Sequence, residues 1–193
     1  MLKPKLTSWL GALLLLACAP AWAADPDPYS DTIALFKNAG ESAEFFKNSY
    51  GHAVFPTIGK GGLIVGAAHG KGRVYVQGKH VGDTSMTQVN VGLQAGGQAY
   101  SMIIFFENKA AFDEFTKADY EFGAEAQAVA ITAAAGATAS TAGASAGASG
   151  GKKDAKTAGR YYKGMAIFTI VKGGAMFQAT VGGMKFSYTP STS

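Results

Sequence analysis

The stretch that decides the fold is AVFPTIGKGGLIVGAAHGKGRVYV, residues 53–76. Short runs of β-branched and aromatic residues, such as 54–58 and 74–76, alternate there with glycine-rich segments at 59–62 and 69–72. Short apolar runs between glycine-rich segments are typical of strands joined by tight turns. We therefore predict short antiparallel strands with turns at these two segments.

The same alternation continues to residue 106 and resumes at residues 165–188, where residues 172–174 (Lys-Gly-Gly) are expected to form a hairpin turn. Residues 86–93 alternate polar with apolar side chains, so one face of that strand is expected to be buried. With 26 Gly among 193 residues, about twice the ~7% of ordinary proteins, the chain favours strands and turns over a helical bundle. The predicted fold class is α+β and β-rich: an antiparallel sheet, or a partly closed barrel or sandwich, of short glycine-punctuated strands.

Two helices are expected beside these strands. The first begins with Ser30 as its N-cap and runs to about Tyr50, although residues 38–40 weaken its middle and two short helices are an alternative. Its apolar stripe is interpreted as core, the alternative being a helix that docks on a membrane. The second is a central amphipathic helix that begins after Asn108 and ends at Gly123.

The N-terminus has the features of a secretory signal peptide. Two lysines precede an apolar run at residues 6–16, and small residues on either side of Trp22 predict cleavage of residues 1–23 after Ala23. A lipoprotein signal of residues 1–17, with lipidation of Cys18, is the alternative. The protein is therefore expected in the periplasm, or anchored to the outer membrane if Cys18 is lipidated.

The rest of the chain is expected to contain a linker and one domain. Residues 24–29 are rich in Asp and Pro and are interpreted as the linker, and residues 30–190 as a single domain. Within the domain, residues 133–151 consist only of Ala, Gly, Ser and Thr, and we predict a mobile loop there.

No motif for catalysis or for metal binding is found in the sequence. His52, His69 and His80 lie outside any metal-ligand pattern, and residues 66–73 lack the spacing of a phosphate-binding loop. We therefore expect a protein that is not an enzyme, with no catalytic residue, no metal and no cofactor.

Basic residues are concentrated late in the sequence. Residues 152–185 contain seven Lys or Arg and one acidic residue, and Tyr161 and Tyr162 lie among the cations. Cations beside interfacial aromatic residues suit the anionic headgroups of a membrane surface. The alternative is that these lysines only keep the adjoining low-complexity loop soluble. Nucleic acid is not expected as a partner, because the net charge is only +4 and the chain is expected to be exported.

The order of the motifs resembles the SYLF domain family, which is described as lipid-binding and, in fungi, as actin-associated. The resemblance is carried by residues 51–62, 64–66 with 70–74, 91–98, 108–115 and 162–166. It implies a β-rich domain with a few packed helices that binds phospholipids, and exported or lipidated proteins in bacteria. The segment 133–151 is longer than in the family, and the cytoskeletal partners of fungal members have no counterpart in a bacterial envelope.

These observations predict a non-enzymatic phospholipid-binding protein of the bacterial cell envelope that uses a basic, glycine-rich face for headgroups. Its partner would be a phospholipid or a membrane surface, and an envelope protein is a further candidate. The alternative function is a structural or protein-interaction module of the envelope without a specific lipid ligand. The candidate headgroup-binding residues are Lys60, Lys71, Arg73, Lys152, Lys153, Arg160 and Lys163.

Overall fold

The computed structural model describes residues 27–117, 120–122, 129–130 and 160–192. Its strands are β1 (Gly51–Val76), β2 (Lys79–Phe106), β3 (Tyr120–Phe122), β4 (Val129–Ala130) and β5 (Met165–Pro190). Its helices are α1 (Pro28–Asn38), α2 (Gly40–Ala43), α3 (Phe45–Asn48) and α4 (Lys109–Phe115).

The strands form one sheet in the order β1-β2-β5-β3, with all of these neighbours antiparallel, while β4 pairs in parallel with β5. Within the described residues the sheet does not close on itself. The predicted fold class is confirmed: the protein is β-rich α+β, with an antiparallel sheet, an N-terminal helix and a short central helix.

The turns predicted at residues 59–62, 69–72 and 172–174 are wrong. The first two lie inside the continuous strand β1, and the third lies inside β5. The β1–β2 turn is formed instead by Gln77 and Gly78, which adopt the left-handed backbone conformation with φ of 50° and 78°. Three long strands therefore replace the series of short ones.

The glycines inside β1 allow this strand to fold back on itself. A Cβ atom added to Gly70 would lie 2.5 Å from Cγ1 of Ile58, and one added to Gly72 would lie 2.7 Å from Cδ1 of Phe55. Residues so far apart in one strand can touch only if the strand doubles back between them. We call the two halves the first arm (residues 51–61 of β1) and the second arm (residues 66–76 of β1), each with its paired parts of β2 and β5.

The core consists of two layers of buried side chains. The inner layer lies between the two arms and is closed by α4; it includes Phe55, Met86, Met102, Phe115 and Phe186. The outer layer lies between the first arm and helices α1 to α3; it includes Phe36, Val54, Ile103, Phe105 and Phe168. Both faces of the first arm are therefore covered by protein near its start, whereas Thr57 and Gly59, closer to its other end, are exposed.

The N-terminal helix differs in detail from the prediction. Its N-cap is Asp27 rather than Ser30, because the Asp27 side chain accepts from the backbone N–H of Tyr29 and from the Ser30 hydroxyl. The chain leaves helical geometry at Ala39, which confirms the interruption expected at residues 38–40. Phe36 is fully buried, so the interpretation of this stripe as core is confirmed.

The second helix begins as predicted and ends early. Oδ1 of Asn108 accepts from the N–H of Ala111 at 3.0 Å, which confirms Asn108 as the N-cap. The predicted end at Gly123 is wrong: the helix stops at Phe115, where the hydroxyl of Thr116 donates to the Phe112 carbonyl at 2.9 Å. Such side-chain bonds to the backbone compete with the hydrogen bonds of a helix. Phe122, which was expected in this helix, lies in β3.

The predicted signal peptide, Cys18 and the loop at residues 133–151 lie outside the described residues. Among the residues that the structure does describe, no helix is long and apolar enough to cross a membrane.

Candidate functional site

The two arms meet at a sharp bend in the sheet. Leu63 pairs with Ala95 and Val65 pairs with Val91, so that Ile64 alone on β1 stands opposite three residues of β2. Ile64 has a φ of 64°, a left-handed conformation that is unfavourable for a β-branched residue. At the bend, β1 therefore uses fewer residues than β2 to turn the same corner.

Large apolar side chains are exposed at this corner. Seven large hydrophobic residues are exposed in the described part of the chain, and all except Val171 belong to the bend. The six residues at the bend are between 55% and 73% exposed. We call this set the bend patch: Leu63, Ile64, Val65, Val89, Val91 and Leu93.

The polarity of β2 is inverted at the bend. Val89, Val91 and Leu93 point outward, whereas Asn90 and Gln94 are each only 2% exposed and point into the fold. Nε2 of Gln94 donates to the backbone oxygens of Asn90 (3.3 Å) and Ile64 (3.4 Å), which fixes this arrangement. Within the described residues, Nδ2 of Asn90 and Oε1 of Gln94 have no hydrogen-bond partner.

This inversion is the feature that sequence reasoning missed. The sequence predicted that one face of the 86–93 alternation would be buried, and the structure buries the face that carries Met86 and Asn90. The signal is present in the sequence as valines alternating with amides. A period of two cannot by itself say which set points inward.

Charge is divided between the sheet and the helical segments. The three long strands carry six Lys or Arg but only one acidic residue, Asp83. Residues 27–50, which contain α1 to α3, carry four acidic and two basic residues. Asp83 lies far from the bend, beside Arg73 and His80. The cations of β1 that lie nearest the bend patch are Lys60 and Lys71, and the three long strands place no carboxylate beside it.

Lys60 and Lys71 are the predicted headgroup residues nearest the bend along β1. Lys71 is exposed on the second arm, on the same face as Val65, with His69 between them. Lys60 is half-buried on the first arm, and its burial lowers its pKa. By alternation it shares the inner face with Ile58, so the two lysines leave β1 on opposite faces.

Arg73 contacts other protein groups at the far end of the second arm. Its guanidinium lies 4.1 Å from the ring centre of Tyr29, 3.5 Å from a carboxylate oxygen of Asp27 and 3.9 Å from one of Asp83. These contacts hold the first turn of α1 against the sheet. Arg73 thus fastens a helix in this structure.

Arg160 and Lys163 lie next to the start of β5, at the end of the arms opposite the bend. Both side chains are exposed, and Nζ of Lys163 lies 5.4 Å from the ring centre of Tyr162. Lys152 and Lys153 lie outside the described residues. The structure therefore does not gather the candidate residues on one face. In the described ranges, no group of three His, Cys, Asp or Glu side chains could hold a metal ion.

Comparison with known proteins identifies the family. The family model described as Ysc84, Las17-binding protein actin regulator, matches residues 87–190, which is more than half of the chain. The chain belongs to the Ysc84, or SYLF, family. The resemblance predicted from the sequence motifs is confirmed. The matched residues of this SYLF protein include three members of the bend patch, Val89, Val91 and Leu93.

A bacterial relative supports the same assignment. Beta cell expansion factor A of Aeromonas veronii is 31% identical over 156 residues, which cover 80% of this SYLF chain and 51% of that protein. The chain thus spans about half the length of the curated relative that it matches. No solved structure matches it. Membership of the family supports a lipid-binding or actin-associated module, and the SYLF family is not known as a family of enzymes.

Proposed function

We propose that the protein is a non-enzymatic phospholipid-binding module of the bacterial cell envelope, and that the basic surface of its sheet binds anionic headgroups. The observation that carries this proposal is the charge division: the three long strands carry six cations and one acid, with Lys71 exposed near the bend and Lys79 at the opposite end of the arms. Each cation near an anionic bilayer contributes about 1 kcal/mol to binding. Family membership favours a lipid ligand over other anions.

The headgroup residue proposed first is Lys71, because it is exposed near the bend and forms no ion pair within the described part of the chain. Lys60 also forms no ion pair there, but it is half-buried on the opposite face of β1 and is therefore a weaker candidate. Arg73 is also a weaker candidate, since binding a headgroup would compete with Asp27 and Asp83. Arg160 and Lys163 would need a second contact with the membrane, because they lie at the opposite end of the arms.

Co-sedimentation with vesicles tests this proposal. We expect the protein to sediment with vesicles of phosphatidylcholine and phosphatidylglycerol at low salt, and to sediment less with phosphatidylcholine alone. Lys71→Gln is expected to weaken binding about threefold to tenfold, whereas Lys79→Gln, an exposed control next to the β1–β2 turn, should change it little. Equal or absent binding to the two kinds of vesicle would contradict the headgroup proposal.

The envelope location is a proposal that the N-terminal sequence supports. Export with cleavage after Ala23 and lipidation at Cys18 give products of clearly different mass. Intact-mass measurement of the protein isolated from its cells distinguishes them, and a chain that retains residues 1–23 without lipid would contradict both.

A protein-interaction module of the envelope is the second candidate, and the exposed bend patch is the observation that favours it. Large exposed apolar patches mark protein interfaces as well as membrane contacts. Crosslinking in cells is the appropriate test. A stoichiometric protein product, together with no lipid in the native mass spectrum, would favour this candidate.

A further inference from the structure

We infer that the bend patch inserts into the apolar part of a lipid bilayer and is the part of the protein that contacts acyl chains. This inference rests on the proposed phospholipid binding and adds the surface, the depth and the orientation of the contact. It also leaves α1 to α3 on the water side of the membrane.

The inverted polarity of β2 is the first support. A strand that faces water on one side buries its apolar residues and exposes its polar ones. At the bend β2 does the reverse, since Asn90 and Gln94 are buried while Val89, Val91 and Leu93 are outside. Such a pattern is favourable where the medium outside the sheet is itself apolar.

The bend is also held in this inverted arrangement. A one-residue slip of β2 would exchange its two faces, but Gln94 fixes the corner by donating to the backbone of Ile64 and Asn90. A Cβ on Gly66 would collide with the Gln94 side chain, so glycine provides the space for the buried amide. The exposure of the valines is therefore built into the fold.

Backbone strain is concentrated at the same place. Ile64 adopts its left-handed conformation with a side chain that is 67% exposed. Packing within the protein does not explain an isoleucine at this position, where glycine would be the unstrained residue. Strain that internal packing does not explain is characteristic of functional sites.

The surrounding charges identify the occupant as a membrane rather than a second copy of the chain. Beyond Ala67, the residues that continue from the patch on the same face of β1 are His69, Lys71 and Arg73. Arg73 pairs with Asp27 and Asp83, so Lys71 is the cation of this face that has no ion pair within the described residues. A symmetric dimer through the patch would bring two copies of Lys71 towards each other, and the three long strands place no carboxylate beside the patch to pair with them. An anionic bilayer provides a partner for each feature, with acyl chains at the patch and phosphates beside Lys71.

Tryptophan fluorescence measures the insertion directly. The sequence has only Trp9 and Trp22, and replacing both by Phe gives a silent background. Leu93→Trp then places a probe in the bend patch, and Thr87→Trp places a matched probe on the same face of β2, six residues before Leu93 and two residues before Val89 at the edge of the patch. In vesicles that contain brominated lipids, we expect a blue shift and at least about twofold quenching at position 93, and a clearly smaller blue shift and less quenching at position 87.

A second variant measures the contribution of the patch to affinity. Leu93→Asn removes one exposed apolar side chain, so folding should be unaffected while vesicle binding weakens about tenfold. Thr87→Asn serves as the matched control and should bind as the unmodified protein does. Circular dichroism spectra of both variants check that each is folded.

The possible outcomes separate this inference from the proposed function. Stronger quenching at position 93 than at position 87, with weaker binding of Leu93→Asn, supports insertion. Vesicle binding without quenching at position 93 overturns insertion and leaves surface binding intact, whereas no binding to any vesicle overturns both. A concentration-dependent dimer that Leu93→Asn abolishes, with vesicle binding unchanged, overturns the inference in favour of self-association.

Discussion

Ile64 combines a left-handed backbone with an exposed apolar side chain. Its φ of 64° costs about 1–2 kcal/mol for a residue with a side chain, and its exposed side chain gains little from burial in the protein. Replacing it by glycine removes that strain but makes the unfolded chain more flexible.

We therefore predict that Ile64→Gly raises the free energy of unfolding by up to about 1 kcal/mol, and at the same time weakens vesicle binding. Urea unfolding and co-sedimentation measure the two quantities. The matched control is Val65→Gly, because Val65 has ordinary strand geometry; there we expect lower stability together with weaker binding. A clear loss of stability in Ile64→Gly would show that the bend is not strained at this residue.

His52 is a largely buried histidine in the outer layer of the core. Its ring stacks on Tyr75 and meets Phe46 edge-on, with ring centres 5.5 Å and 5.3 Å away. Burial lowers the pKa of His52 from its usual 6.5 to about 4, and the positive charge of Lys37 acts in the same direction. The unfolded chain therefore binds a proton at a higher pH than the folded chain does.

It follows that the protein loses stability as the pH falls from 6.5 towards 4. We predict a decrease of about 2 kcal/mol in the free energy of unfolding between pH 7 and pH 5 from this residue. His52→Phe should remove most of that decrease, whereas His69→Gln, at an exposed histidine, should retain it. Urea titrations at the two pH values measure the difference, and an unchanged pH dependence in His52→Phe would contradict the assignment.

At the scale of elements, the fold depends on contact between the two arms of β1. Gly72 lies against the Phe55 ring, where an added Cβ would stand 2.7 Å from Cδ1 and 2.8 Å from the Val54 carbonyl oxygen. Gly59 lies in the same strand with no atom within 4 Å of such a Cβ. Substitutions at these two glycines therefore compare a crowded position with an open one in the same strand.

We predict that Gly72→Ala lowers the free energy of unfolding by about 2 kcal/mol or more, because the backbone of the opposite arm must move. Gly59→Ala should leave stability unchanged or raise it slightly. Thermal and urea unfolding of both variants test this pair. Equal effects at the two positions would mean that the arms do not pack as closely as described.

These contacts also explain how far the sequence could predict the elements. Local signals were sufficient for the N-cap at Asn108 and for the β-strand character of residues 53–106, but not for the length of the strands, because capping and a period of two depend on neighbouring residues only. The glycines at 70 and 72 were interpreted as turn residues because their true neighbours, Ile58 and Phe55, lie on the opposite arm. No local pattern distinguishes a glycine that turns the chain from one that makes room for a side chain.

The same reasoning applies to the candidate site. The sequence identified the cations of β1, but their directions depend on the bend: Lys60 and Lys71 leave the strand on opposite faces, and Arg73 holds α1. The bend patch was missed because its valines and leucines resemble core residues in sequence. Only the folded sheet shows that buried amides occupy the inner positions.

At the scale of the whole molecule, the exposed apolar side chains and the attachment of the helices lie at opposite ends of the two arms. The bend patch lies at one end of the arms, while the β1–β2 turn, the start of β5 and the first turn of α1 lie towards the other. The acidic helices cover the first arm, and basic side chains extend from the patch along the second. Such a molecule would approach an anionic membrane with the bend first.

This arrangement predicts two separable contributions to vesicle binding. Raising the salt concentration from about 0.15 M to about 1 M shortens the screening length from about 8 Å to about 3 Å and weakens contacts between lysine and phosphate. Burial of the bend patch is not weakened by salt. Binding of the unmodified protein to anionic vesicles should therefore decrease at high salt without disappearing.

Two variants assign these contributions. Lys71→Gln should reduce binding at low salt but match the unmodified protein at high salt, because screening has already removed the contribution of that charge. Leu93→Asn should show the opposite pattern and lose most of the binding that remains at high salt. Co-sedimentation of the three proteins across a salt series measures both effects. Complete release of the unmodified protein at high salt would mean that charge alone holds it to the membrane, and the bend would then have no apolar partner in the bilayer.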